Sequence, residues 1–510
     1  MGTMSTTPGG TAGLSRRRLL QAGAMVSAAS VLGACEDSPP AATGGYAPTI
    51  DSLARHRAPD WFRDAKLGVF IHWGPYSIPA YAPHRSSVPA DMKAGGVNHF
   101  KYNAYAEWYQ NSMLFEDGPT AAFHRDNYGE SFPYSRFGEQ FNEMLEQWDP
   151  EDWARTIAAS GARYLVLVTK HHDGFTLWPS AVQNPHARNW STRRDVVGEL
   201  AEAARGQGLR FGVYYSGGID WSFRHRRIES FAGLMLTMPG WGSGYLDYAN
   251  AHYRELIERY RPDYLWNDIS YPSESAALGI IAEYYNRVED GLVNDRWIAL
   301  RSLLRPRAWR RPEGITGLLP PEPPAWDVRT PEYTVSDRLL PFDWETTRGI
   351  GHSFGFNREE GDDDLLAPEE IIRMVTQVAS RNGNVLLNTG PRGDGQLDPL
   401  QVTRLKAVGD WLADNADSVQ DTRPVPLPQN DLGGIALGAT RSGNQGYIHL
   451  VGTPQPGSYT IELGDSSPVS RARLRGAPSA NLGVEGSSLY FTVDAWPERA
   501  TQVIELDYEG

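Results

Sequence analysis

One cysteine in 510 residues, Cys35, leaves no pair for a disulfide and no cysteine set for a structural metal site. Positive charge is also short: 48 basic against 62 acidic side chains give a formal charge of −14, which excludes a polyphosphate partner unless the charge is strongly segregated. No apolar run is long enough to span a bilayer. HxH and HExxH pairs, which would mark a zinc hydrolase, are absent as well. What is present is aromatic: 16 Trp and 24 Tyr offer flat apolar faces with polar edges, suited to sugar stacking and equally to core packing.

The segment Ser15 to Cys35 sets Arg16 and Arg17 before a short Ala-rich apolar run, the pattern of a twin-arginine export signal. Its end, Leu32, Gly33, Ala34 and Cys35, resembles a lipobox. These features predict an exported, periplasmic or cell-surface protein anchored to the membrane only through a lipid on Cys35. Residues 36–50, rich in Pro, Ala, Gly and Ser, read as a flexible tether.

From 51 to 420, short apolar runs alternate with helical patterns, which predicts parallel strands joined by helices. Asp149 is a predicted N-cap with Pro150 at the first helical position, and Arg163 to Lys170 follows as an apolar strand. The unit recurs at 195–216, 245–268 and 368–388, with further strands at 66–72 and 291–297. A (β/α)8 TIM-like barrel is the preferred α/β architecture, with a large open sheet as the alternative. Over 421–510 short alternating stretches separated by Gly, Ser and Pro predict a C-terminal antiparallel β-sandwich of about six to eight strands.

In such a barrel the reacting groups sit where strands end. Reading those ends yields His72, His171, His172, Tyr215, Trp266, Asp268, Arg296 and, after a less certain strand, Glu332. Imidazole and charge converging there suit a ligand rich in hydroxyls. They are also types that bind a divalent metal, so a metal-dependent barrel hydrolase is a rival reading, although the spacing of a metal site is missing.

KLGVFIHWGPYSIPA (Lys66 to Ala80), YAEWY (Tyr105 to Tyr109), KHHDGF (Lys170 to Phe175), GVYYSGGIDW (Gly212 to Trp221), DYLWND (Asp263 to Asp268) and LLNTGPRGDG (Leu386 to Gly395) resemble, in order, the motifs of glycoside hydrolase family 29, the α-L-fucosidases. The resemblance spans roughly residues 55 to 415. It implies a retaining exo-α-L-fucosidase acting on fucosylated oligosaccharides or glycoconjugates, with no cofactor and no metal. It places the nucleophile at Asp268 and the acid/base at Glu332, with Glu345, Glu313 and Glu322 as competitors. It assigns His72, Tyr105, Glu107, Trp108, His171, His172, Tyr215 and Arg296 to the sugar, and Trp266 and Phe356 to its apolar side. A non-catalytic fucose-binding protein would keep the same binding residues.

Overall fold

The structure, a computed structural model, describes residues 45–84, 97–238, 244–299 and 322–509, except 453, 465–466 and 478–479. The predicted signal with Cys35, most of the predicted tether, and the Arg- and Pro-rich stretch that holds Glu313 lie outside the described residues. No helix among the described residues is long and apolar enough to cross a membrane.

Seven parallel strands form one sheet: β1 Leu67–Ile71, β2 Tyr164–Lys170, β3 Arg210–Ser216, β4 Tyr264–Asp268, β5 Leu292–Val293, β6 Trp344–Gly349 and β7 Gly383–Thr389, in the order β5-β4-β3-β2-β1-β7-β6. Residues 328–332 join its two edges. They bridge in parallel to Asn294 just past β5 and to Trp344 and Thr347 of β6, occupying the eighth position and closing the sheet into a barrel. The helices have sequence-encoded starts. Asp149 accepts the Glu151 N–H at 2.9 Å to cap Pro150–Ala159, Asp195 accepts the Gly198 N–H at 3.0 Å to cap Val196–Gly206, and Ser273 caps Glu274–Arg287.

Strand alternation decides what faces the axis. Leu67, Val69 and Ile71 of β1, Leu165 and Leu167 of β2, and Phe211 and Val213 of β3 pack outward into the layer shared with the helices. Phe70, Val166, Val168, Tyr214, Tyr264, Trp266 and Leu386 point inward and fill the barrel, with Phe62 joining them from the helix Asp60–Ala65 that precedes β1. The same alternation turns His72, Ser216 and Asp268 toward the axis at the strand ends, while Tyr215 and Asn267 turn away.

Residues 423–508 form two antiparallel sheets of six and three strands, enclosing a core that includes Leu437, Ile448, Leu450, Ile461, Leu489 and Ile504. This sandwich is fastened to the barrel by the Thr440 hydroxyl on the Ser418 carbonyl at 2.7 Å, by the Arg373 Nε on the Ala500 carbonyl at 3.1 Å, and by Arg381 on the Leu437 carbonyl. The barrel with a C-terminal sandwich is as the sequence predicts, and Tyr46, within the stretch read as a tether, packs on the barrel. The Tyr46 N–H donates to Asn286 Oδ1 at 2.7 Å and its carbonyl accepts from Asn286 Nδ2 at 2.8 Å, which docks this residue on the barrel.

Candidate active site

A cavity of about 310 Å³ opens at the C-terminal ends of the barrel strands, and among the described residues none from the sandwich lines it. Asp268, the last residue of β4, lies on its wall. One carboxylate oxygen accepts from Arg296 Nη1 at 2.9 Å and the other from the Tyr214 hydroxyl at 2.7 Å. Burial alone would raise this carboxyl, but the Arg296 charge, His172 and the two donors outweigh it and hold it below the usual carboxylate range. Asp268 caps no helix, since the one that follows is capped by Ser273.

The turn after Asp268 is strained. Ile269 and Ser270 have φ of 50° and 76°, a left-handed conformation that is costly for a β-branched residue. It is fixed by Asn267 Nδ2 on the Ser270 carbonyl at 2.9 Å and by the Tyr271 N–H on the Ile298 carbonyl at 3.0 Å. Gly218 makes room for it, because a Cβ there would meet the Ile269 carbonyl oxygen at 1.7 Å.

Arg296 is the hub. Its Nη2 lies 2.7 Å from Glu332 Oε1, so one guanidinium holds Asp268 and Glu332 on its two terminal nitrogens. Its Nε and Nη2 also donate to Thr330 Oγ1 and the Thr330 carbonyl at 3.2 and 3.0 Å, and its plane lies over Trp266, 4.5 Å from the ring centroid. Burial disfavours the cation, yet the charges of Glu332, Asp268 and Asp295 hold its pKa above normal. Asp295 itself pairs with Arg329 at 2.7 Å.

Three imidazoles also line the cavity. β2 ends in a register shift between Val168 and Lys170, and a turn closed by the Gly174 N–H on the His171 carbonyl follows at once. Consecutive His171 and His172 can therefore both face the cavity, with ring centroids 4.0 Å apart. Burial pushes His72 down to about 3, His172 to about 4, and His171 well below its normal value, so all three are neutral at ordinary pH. Two tautomers are set by their neighbours. Asn388 gives its amide N–H to the Phe354 carbonyl at 2.6 Å, so its oxygen must accept from His72 Nδ1 at 2.6 Å. The Ser216 hydroxyl donates to the Ile219 carbonyl at 2.8 Å, so it too must accept from His172 Nδ1, 2.7 Å away. The Nε2 of each ring is left as an acceptor for a hydroxyl.

Glu107 and Trp108 also line the cavity, on a short 3-10 turn, as does Tyr105 just before it. Glu107 accepts the Gly355 N–H at 2.8 Å, and burial raises its carboxyl to about 7. Three residues read from the sequence do not fit their places. Tyr215 turns outward, its hydroxyl 3.1 Å from His252 Nδ1, and the inward neighbour Tyr214 takes its place at Asp268. Phe356 lies under Arg392, 5.4 Å from its ring, and Phe354 lines the cavity instead. Glu345, the competitor for acid/base, is fully buried within the barrel among Tyr164 and Tyr264 and does not reach the cavity. Among the described residues, no group of three His, Cys, Asp or Glu could hold a metal.

Two carboxylates flanking a pocket of hydroxyl-binding groups at the mouth of a parallel barrel are the equipment of a glycoside hydrolase, and the protein falls in that class. Its residues 34–417 match the family model described as Alpha-L-fucosidase, and the chain belongs to that family. An alpha-L-fucosidase of Branchiostoma floridae is 30% identical over 470 residues, covering 87% of this chain and 90% of its own length. The human tissue alpha-L-fucosidase is 29% identical over 465 residues, covering 88% and 85%. Among solved structures, a Thermotoga maritima alpha-fucosidase in complex with fucose is similar with a TM-score of 0.73 at 35% identity, covering 90% of this chain and all of the other.

Proposed function

We propose that the protein is a retaining exo-α-L-fucosidase, with Asp268 as nucleophile and Glu332 as acid/base. The observation that carries this reading is the shared guanidinium. Carboxylates held on adjacent nitrogens of Arg296 lie one guanidinium apart, compatible with the separation of about 5 Å that retaining chemistry uses. The two are not equivalent. Asp268 has two donors and a lowered pKa, which suits an ionised nucleophile. Glu332 is the more exposed, 18% of its side chain against 10%, which suits a group that meets the leaving oxygen and later water.

In the first step an Asp268 oxygen bonds to the anomeric carbon while a protonated Glu332 gives its proton to the glycosidic oxygen, and the aglycone departs. In the second, Glu332 takes a proton from water, whose oxygen displaces Asp268 and restores the starting anomeric configuration. The sugar's hydroxyls have the acceptors His72 Nε2 and His172 Nε2, and His171 lends a ring whose Nδ1 has no hydrogen-bond partner among the described residues. Trp266 and Phe354 offer apolar surface to the methyl group of fucose. Both carboxylates are in place, which favours this over a non-catalytic fucose-binding protein. Following 4-nitrophenyl α-L-fucoside by NMR should show α-L-fucose forming first. Initial β-anomer would overturn the retaining assignment, and absence of turnover by folded protein would overturn the enzymatic one.

Export and lipid anchoring at Cys35 belong to the same proposal and are supported by the twin arginines and the lipobox-like run. Cys35→Ala should release the protein from membranes into the soluble fraction, and an unchanged membrane fraction would contradict the anchor.

A further inference from the structure

Beyond the strand ends the cavity wall changes character. Leu234, Met235 and Met238, from the helix Phe231–Thr237 and the residue after it, line the rim together with Phe100, Ile269 and Ile298. Met235 rests on Ile298, and Leu234 and Phe100 continue into a cluster with Trp108, Trp221 and Phe354. Three polar groups at this level already have protein contacts, and His99, which also lines the cavity, meets Phe100 edge-on with ring centroids 4.9 Å apart. Asn103 Oδ1 accepts the Tyr105 N–H at 2.8 Å, and the Ser270 hydroxyl donates to the Ile298 carbonyl at 2.5 Å.

Glu332 lines this same cavity, so whatever is bonded to the oxygen it protonates must lie across the rim. A volume of about 310 Å³ holds more than one monosaccharide. A second sugar there would press most of its hydroxyls against thioether and aliphatic carbon, which is unfavourable. An aromatic ring or alkyl chain would instead gain burial, and methionine adapts to either.

We infer that the rim is a leaving-group subsite for fucosides with an apolar aglycone, aryl or alkyl, in preference to those whose aglycone is a second sugar. The inference rests on the fucosidase reading and fixes the substrate class of that site.

Inhibition constants for S-linked α-L-thiofucosides test it, because the sulfur link resists hydrolysis. The set is the methyl and phenyl thiofucosides and a thio-linked fucosyl-hexose disaccharide, with L-fucose as reference. The phenyl compound should bind about tenfold or more tighter than the methyl one, the gain from burying a ring, and tighter than the disaccharide. In Met235→Gln the phenyl-to-methyl ratio should shrink several-fold. Because the wild-type series carries the test alone, a variant that fails to fold does not remove it. Equal phenyl and methyl constants, or a disaccharide that binds tighter than the phenyl compound, overturn the inference while leaving the fucosidase reading intact. If L-fucose and all the probes fail to bind, the fucosidase reading falls and the inference with it.

Discussion

Replacing Tyr214 by phenylalanine removes one oxygen from the wall beside the catalytic carboxylate and little else. The ring stays packed between His171 and Trp266, whose centroids lie 5.9 and 5.3 Å away, so the fold should hold. What is lost is the 2.7 Å hydrogen bond to Asp268 Oδ2. Hydrogen bonds to a charged group contribute about 1.5–3 kcal/mol, and a change of one pH unit in a pKa corresponds to about 1.4 kcal/mol. The sign follows from what surrounds Asp268. Burial raises its pKa, while Arg296, His172 and Tyr214 lower it by more, so removing one of the lowering groups moves it up. Asp268 must be ionised to attack. The acidic limb of the kcat/KM profile on 4-nitrophenyl α-L-fucoside should therefore move to higher pH by about one unit or more, with a smaller loss on the plateau. Direct measurement of that profile decides the matter. An acidic limb that stays in place while the plateau drops would show that Tyr214 does not act through the ionisation of Asp268.

Other substitutions probe groups around the site. Tyr215→Phe should leave kcat/KM within about twofold and cost about 1 kcal/mol of stability, since its hydroxyl faces His252 and not the cavity, and a large loss of activity would place Tyr215 at the sugar after all. Gly218→Ala should lower kcat by about 100-fold with a native circular dichroism spectrum, because its Cβ would displace the strained turn behind Asp268. Wild-type rates in that variant would separate the turn from catalysis. Lys170→Met strands Asp220, its partner at 2.9 Å in a fully buried pair, and should cost about 3–5 kcal/mol in urea unfolding. A loss below about 1 kcal/mol would mean that the pair is dispensable.

The barrel was legible because its repeating unit announces itself in both parts: capped helix starts at Asp149 and Asp195, then strands without polar alternation, as at Leu165 to Val168. β6 was harder to see. Its inward Glu345, Thr347 and polar neighbours make it look like a loop, although Tyr164 and Tyr264 satisfy the glutamate inside the barrel. Reading strand ends brings His72, Asp268, Arg296 and Glu332 to one cavity, since each closes a strand or a strand-like segment. Tyr215 and Tyr214 differ by one step of alternation, and parity counted back from Asp268 through Trp266 and Tyr264 shows the register that β3 shares: Tyr214 beside Trp266, Ser216 beside Asp268. A motif places YY at the site without saying which ring faces in. Phe354 and Phe356 are confused for a different reason. They belong to an irregular segment where no periodicity sets direction, and long-range contacts such as the Asn388 amide on the Phe354 carbonyl and the Gly355 N–H on Glu107 fix which phenylalanine lies over His72. The part played by Arg296 in joining both carboxylates depends on distances between three chain segments, which no single stretch of sequence encodes.

In the retaining mechanism the Asp268 side chain bonds to the sugar during turnover. Reacting the protein with a fluorinated fucosyl fluoride that slows breakdown of the intermediate, then digesting it and sequencing the labelled peptide by mass spectrometry, tests this directly. One fucosyl adduct per chain is expected, carried on Asp268 in the peptide containing Trp266 and Asn267. An adduct on Glu332, Glu107 or any other side chain, or time-dependent inactivation without an adduct, would contradict it.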